Sequence, residues 1–120
     1  MARPLGRYHR PYQATRVEID GHKFDSKAEA KRYGQLKLAQ MGGRVRALKV
    51  HPRVPIVING KKIRRGYMVL DFSYEEIRDG AWRTIYEDVK GGADTHLAAF
   101  RREVCEAING ITIDVVPMPY

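Results

Sequence analysis

The sequence predicts a single α/β or α+β domain in which two main helices flank a central mixed β-sheet. Two segments have the caps and spacing of helices, and the segments around them alternate apolar and polar residues as strands do. Asp-Gly or Asn-Gly pairs separate strand-like segments at 20–21, 59–60 and 79–80, and such pairs favour two-residue hairpin turns. The length of 120 residues allows one hydrophobic core but not two.

The first third of the chain predicts an arm, a hairpin and a helix. Residues 1–15 contain two prolines and little periodicity, so we expect a flexible basic arm before a single domain over 16–120. The segment TRVEIDGHKFDS gives two short strands around its Asp-Gly turn. The helix begins at Ser26, because SKAE has the capping-box spacing with Glu29 three residues later. Gly42 and Gly43 end it.

The remaining segments predict five strands and a second helix. RVRALKVHP alternates, VPIVING and KKIRRGYMVL form a hairpin, and YMVLDFSYEEIRDGAWRTIYEDVKGG forms another. Asp94 or Thr95 caps the helix HLAAFRREVCEAI, and ITIDVVPM is the last strand. The predicted order is therefore ββαββββαβ.

The charge distribution favours a nucleic acid partner. Net charge is +8, and residues 30–70 contain eleven Lys or Arg and no acid. An acid-free basic stretch of this length is typical of phosphate-binding surfaces, although basic faces also serve solubility. Our candidates for DNA phosphate contacts are Arg7, Arg10, Arg44, Arg46, Lys61, Lys62, Arg64 and Arg65.

Composition also bears on the cellular location of the protein and on the chemistry open to its cysteine. No apolar run reaches the roughly 20 residues that a membrane span needs, and the first residues lack a signal-peptide core. The single cysteine, Cys105, cannot form an internal disulfide and suits a buried helix position. We therefore expect a cytoplasmic protein. His22 and His51 have no partners at metal-ligand spacing, whereas His96 and Arg101 of the second helix could face a site near it.

The length of the predicted Asp79-Gly80 turn places two acids opposite each other. If Asp79-Gly80 is a two-residue turn, positions that sum to 159 are paired, and Asp71 lies opposite Asp88. Opposed residues have Cβ atoms about 4.5–5.5 Å apart, and Lys90 shares the face of Asp88. Opposed carboxylates need a cation: either Lys90 alone, as a structural ion pair, or a divalent ion such as Mg²⁺ or Mn²⁺. Glu87 points to the other face unless a bulge intervenes.

These residues resemble a known signature. "LD" at 70–71 and "DVK" at 88–90, with a glutamate in the first helix, look like the PD-(D/E)xK nuclease superfamily. More narrowly, VEIDGHKFDSKAEAKRY, a "DF" strand and EDVKGG resemble a family of small phage and prophage proteins that is compared with Holliday-junction resolvases. The resemblance covers about residues 15–115. One departure is Leu70, which stands where the proline that names the motif would be.

The resemblance implies a restriction-endonuclease-like core and a metal-dependent DNA endonuclease that acts on branched or duplex DNA. It implies that Asp71 and Asp88 bind Mg²⁺ or Mn²⁺ and that Lys90 is the lysine of the motif. Glu29 is the helix glutamate, either catalytic (bound to the metal directly or through a water) or only a helix cap. Apart from the resemblance, the backbone carbonyl of Val89, at the end of the strand, would be a natural further ligand. Junction cleavage, with two symmetric cuts, would suit a homodimer. The alternative is a non-catalytic DNA-binding or recombination-accessory protein on the same fold.

Overall fold

The computed structural model describes residues 16–118, so the predicted arm at 1–15, with Arg7 and Arg10, lies outside the described residues. Its elements over these residues are eight strands and two helices, one strand more between the helices than predicted, because the strand is interrupted at Leu70 and Asp71, where the two predicted hairpins shared the segment YMVL and were counted as one strand. The elements are β1 (Val17–Ile19), β2 (His22–Phe24), α1 (Lys27–Met41), β3 (Val45–Val50), β4 (Arg53–Ile58), β5 (Lys61–Val69), β6 (Phe72–Arg78), β7 (Ala81–Lys90), α2 (His96–Asn109) and β8 (Ile113–Pro117).

A four-stranded mixed sheet forms the centre, with the strand order β3-β6-β7-β8. β6 is antiparallel to β3 and to β7, whereas β7 and β8 are parallel and α2 connects them. A parallel pair needs such a crossover, because a tight turn can join only antiparallel strands. The pairs β1-β2 and β4-β5 form two separate hairpins. The predicted α+β class with a mixed sheet and two helices is therefore confirmed.

Local chemistry explains where these elements begin and turn. Ser26 caps α1, its hydroxyl accepting from the Glu29 N–H at 3.2 Å, and Thr95 caps α2 in the same way at 3.1 Å. At all three predicted hairpin turns both residues have positive φ, for example 53° at Asp79 and 78° at Gly80. Paired positive φ values match the twist of hairpin strands, and each pair of residues was predicted correctly as a turn.

The two faces of β7 serve different helices. Ile85 and Val89 join α1 in a core that also contains Phe24, Tyr33 and Phe72. Tyr86, between them in sequence, packs with Cys105 of α2, Val54 and Leu70 in a second cluster. Side chains of a strand alternate between faces, so each face of the central sheet has its own apolar layer. The structure confirms the buried position predicted for Cys105.

The predicted β6-β7 register holds for almost the whole hairpin. Pairing runs from Arg78 opposite Ala81 to Phe72 opposite Glu87. The regular ladder ends there, because the Asp71 N–H donates to the carbonyl of Glu87 at 3.2 Å. The backbone pairing of Asp71 with Asp88 was thus predicted one step too far. No helix within residues 16–118 is long and apolar enough to cross a membrane.

Candidate metal centre

Three side chains from separate elements meet at one end of the central sheet. They are Glu29 in the first turn of α1, His51 between β3 and β4, and Asp71 just before β6. One oxygen or nitrogen atom of each lies within 4.8 Å of those of the other two. All three side chains are partly buried. Such a set offers two carboxylates and an imidazole to one cation.

Glu29 is both part of a helix cap and part of this cluster. Its backbone N–H is bound by the Ser26 hydroxyl, while its carboxylate lies 3.4 Å from that hydroxyl and 3.9 Å from His51 Nε2. Burial, and then the charge of Asp25, raise the pKa of this carboxyl. The two roles predicted as alternatives for Glu29 are therefore compatible.

Backbone hydrogen bonds hold His51 beside Asp71. The His51 N–H donates to the Asp71 carbonyl at 3.0 Å, and the Leu70 N–H donates to the Pro52 carbonyl at 3.0 Å. His51 has φ of 55°, a left-handed conformation that few residues other than glycine adopt. His51 has no partners at metal-ligand spacing along the sequence, as predicted, but the fold brings Glu29 and Asp71 beside it from distant parts of the chain.

Asp71 has a carboxylate that lacks a cation. Its Oδ2 accepts from the Val89 N–H at 2.6 Å, and among residues 16–118 no Lys, Arg or His side chain forms an ion pair with it. Burial, a hydrogen bond with the Asp88 carboxyl and the charge of Glu29 raise its pKa to about 8. The Asp71 and Asp88 side chains thus lie together as predicted, although their backbones are not paired.

Asp88 is neutralised from two sides. Its Oδ2 lies 3.3 Å from Lys90 Nζ, on the shared strand face that was predicted, and 3.2 Å from Arg102 of α2. Arg102 is 7% exposed and also binds Asp94 through both terminal nitrogens. Sequence reasoning missed Arg102 and considered its neighbour Arg101, which is exposed. Its spacing of three residues from buried Cys105 was the available signal, since such residues share a helix face.

Glu87 lies on the opposite face, as predicted. Its carboxylate is 1% exposed and accepts two hydrogen bonds from Arg32 of α1, at 2.9 and 2.6 Å. The Tyr74 hydroxyl donates a third. A buried carboxylate with this many donors is satisfied without a metal. Glu87 therefore attaches α1 to β7, while Asp88 faces α2.

The predicted phosphate contacts among residues 16–118 lie on the β4-β5 hairpin and near the start of β3. The basic hairpin, residues 53–69, contains no acid and has Arg53 and Arg65 over the ring of Tyr67 at 4.5 and 5.4 Å. It also exposes the predicted phosphate contacts Lys61, Lys62, Arg64 and Arg65. In contrast, Arg46 binds Glu75 at 2.7 Å and covers Trp82 at 4.0 Å, so it is already engaged. Arg44 is exposed.

A bulge shapes the basic hairpin. Pro55 pairs with Tyr67 and Val57 pairs with Lys62, so one residue of β4 lies opposite four residues of β5, 63–66. Arg64 and Gly66 in this bulge have φ of 58° and 90°. A bulge bends its strand and turns side chains away from the regular ladder. Arg64 and Arg65, both exposed, lie in this bulge.

Comparison with known proteins gives a family. No curated protein and no solved structure matches the chain. The model of a family described as "Protein of unknown function (DUF1064)" matches residues 9–109, which include all the residues of the cluster and the basic hairpin. The chain therefore belongs to the DUF1064 family.

Proposed function

We propose that the chain is a metal-dependent DNA endonuclease of the PD-(D/E)xK type, with a restriction-endonuclease-like core. The observation that carries the proposal is the grouping of Glu29, Asp71 and Asp88, with Lys90, at one end of the sheet. The acids come from three places in the chain, and their mutual repulsion is only partly relieved by Lys90 and Arg102. Natural proteins keep such unfavourable charge clusters mainly at functional sites.

The site fits a hard divalent ion such as Mg²⁺ or Mn²⁺. Asp71 has free carboxylate capacity and no cationic partner among the residues that the structure describes, and oxygen ligands are those that these ions prefer. Asp71 and Asp88 would hold the ion with the Val89 carbonyl, and Glu29 would bind it directly or through a water. When bound, the ion supplies Lewis-acid polarisation of the phosphodiester and lowers the pKa of a water ligand.

Lys90 has a defined task in this proposal. Its ammonium lies 3.3 Å from the Asp88 carboxylate, with its side chain 26% exposed, so it reaches solvent while Asp88 orients it. There it would position the attacking water by donating a hydrogen bond, or offset the negative charge that develops on the phosphate.

The basic hairpin would hold the DNA backbone through phosphate contacts that carry no sequence information.

The preferred DNA is proposed to be branched, such as a four-way junction in phage recombination or DNA processing. Its two-fold symmetry would require two coordinated cuts, hence a homodimer. The test is incubation of labelled four-way junction, flap and duplex DNA with the protein in Mg²⁺ or in EDTA. We expect metal-dependent cleavage that falls about 10²-fold or more in Asp88→Asn. The exposed turn variant Asp79→Asn, which makes the same chemical change, should cleave normally. Cleavage that persists in Asp88→Asn would refute this assignment of the site.

A second candidate is a DNA-binding accessory protein without catalysis. The observation that favours it is the ion-pair network in which Lys90 and Arg102 already neutralise Asp88. In that case the acids would serve stability, and Lys90 would be the structural partner that the sequence also allowed. Tight binding to branched DNA without cleavage in Mg²⁺ or Mn²⁺ would favour this candidate.

A further inference from the structure

We propose that His51 is a metal ligand, and that the site consequently favours a transition-metal ion such as Mn²⁺ over Mg²⁺. The inference rests on the metal site of the proposed function and adds a nitrogen ligand to its oxygen set. Glu29, His51 and Asp71 would then form a three-residue ligand group, with Asp88 completing it from the neighbouring strand.

The distances suit coordination by one ion. Ligand atoms about 2.1 Å from an octahedral ion lie about 3.0 Å apart when adjacent and about 4.2 Å apart when opposite. His51 Nε2 lies 3.9 Å from Glu29 Oε1, and all three ligand atoms lie within 4.8 Å of one another. Movements of less than about 1 Å, available to side-chain rotation, would bring them onto a common ion.

The surroundings of His51 orient its ring toward the acids. One side lies near the buried ring of Phe24, with centroids 5.9 Å apart, while Nε2 faces Glu29. The side chain is 36% exposed, so an ion could reach it from solvent. The backbone places it there at φ of 55°, a conformation that is unfavourable for most residues other than glycine. This backbone cost would be offset where the imidazole binds an ion.

Ligand chemistry links His51 to the choice of metal. Mg²⁺ prefers oxygen and keeps several of its waters, so an imidazole adds little to its binding. Affinity of a nitrogen-containing site for divalent transition metals instead rises from Mn²⁺ through Co²⁺ to Ni²⁺. Replacing the imidazole with the amide oxygen of glutamine should therefore weaken transition-metal binding and leave Mg²⁺ binding nearly unchanged.

The experiment measures metal binding directly on metal-free protein. Isothermal titration with Mn²⁺, Co²⁺ and Mg²⁺ is performed on the wild type, on His51→Gln and on the exposed helix variant His96→Gln as the matched control. We expect His51→Gln to lose about 10- to 100-fold in Mn²⁺ and Co²⁺ affinity and less than about threefold in Mg²⁺ affinity. The His96→Gln variant should bind all three ions like the wild type. Equal losses for Mn²⁺ and Mg²⁺, or no loss, would overturn the inference.

A second measurement needs no variant of His51. In the Co²⁺-loaded wild type, a coordinated imidazole gives a strongly shifted, exchangeable N–H proton resonance, which ¹⁵N-histidine labelling identifies as a histidine and which should persist when His9, His22 or His96 is replaced with glutamine. Its presence supports ligation by His51 even if His51→Gln fails to fold, and its absence overturns it. Ligation without DNA cleavage would refute the endonuclease and keep the metal site. Mg²⁺-dependent cleavage without ligation would keep the endonuclease and refute this inference.

Discussion

Replacing Asp71 with asparagine should stabilise the metal-free protein while abolishing metal binding. The asparagine side chain is nearly isosteric with that of Asp71, and its carbonyl oxygen can still accept from the Val89 N–H, which Asp71 binds at 2.6 Å. The substitution removes a buried negative charge beside Glu29 and Asp88. The introduced amide can also donate to either acid, which a second carboxylate cannot do.

The size of the stability gain in Asp71→Asn, and its dependence on pH, follow from the pKa of Asp71. The pKa is about 8 in the folded protein, against an ordinary value of 3.8. Between these values the folded state binds more protons than the unfolded state, so wild-type stability falls as pH rises from about 4 to about 8. The full difference sets a ceiling of ~6 kcal/mol. Because Asp71 is not fully buried, part of this ceiling is lost to solvent screening, and we expect Asp71→Asn to be more stable than the wild type by ~1–3 kcal/mol above pH 8.

The assay is thermal and urea unfolding in EDTA between pH 4 and pH 9. Asp71→Asn should unfold roughly 5–10 °C above the wild type at pH 8.5, and this gap should shrink toward zero near pH 4. Asp79→Asn is the control, since it makes the same change in an exposed turn at φ of 53°. Adding Mn²⁺ should raise the unfolding temperature of the wild type and leave Asp71→Asn unchanged.

Two results would refute this reasoning. If Asp71→Asn is no more stable than the wild type at pH 8.5, the carboxyl does not carry an unfavourable charge there. If the stability gap is independent of pH, the gain arises from packing or hydrogen bonding rather than from ionisation.

Three further predictions concern the hydrogen-bond network of Glu87, the buried Arg102 of α2 and the basic hairpin. Glu87→Gln should lower the free energy of unfolding, measured in urea, by ~2–4 kcal/mol, because it weakens a buried charged network. Glu75→Gln, in an exposed pair, should change it by less than ~1 kcal/mol. Equal effects of the two variants would contradict the structural role of Glu87. Arg102→Gln should cost about 2 kcal/mol by the same measurement, and Arg101→Gln almost nothing; a reversed order would show that α2 is rotated. A hairpin variant with four charges removed should reduce the salt slope of DNA binding, measured by fluorescence anisotropy, by about 3–4 relative to Lys23→Gln, and an unchanged slope would place the DNA elsewhere. The four charges are Lys61, Lys62, Arg64 and Arg65.

The features that the sequence predicted are those encoded by neighbouring residues. Asp79-Gly80 sets a turn whose two-residue length fixes the pairing as far as Phe72 and Glu87. That pairing separates Glu87 from Asp88 by face, because side chains alternate along a strand. The position of Lys90 on the same face as Asp88 followed from the same alternation of side chains. Each of these inferences needed only a turn type and a period of two.

The features that were missed depend on contacts between distant segments. His51 reaches the site because its N–H binds Asp71, twenty residues along the chain, and nothing near His51 encodes that bond. Arg102, rather than the predicted Arg101, faces Asp88 because packing around Cys105 sets the rotation of α2. Adjacent helix positions differ in direction by about 100°. The three extra residues of the β5 bulge have only Gly66 as a local signal.

The alternation along β7 also limits which changes of length the protein can accept. Glu87 belongs to the α1 face and Asp88 to the α2 face, so sliding β7 by one residue would exchange them. The proposed metal site would then receive a longer carboxylate and Arg32 a shorter one, even though composition and charge stayed the same. Residues added at the Asp79-Gly80 turn can therefore be accommodated only as a looped-out extension that keeps the pairing of the strands. Loop libraries and peptide insertions at this turn therefore need to leave Arg78 paired with Ala81.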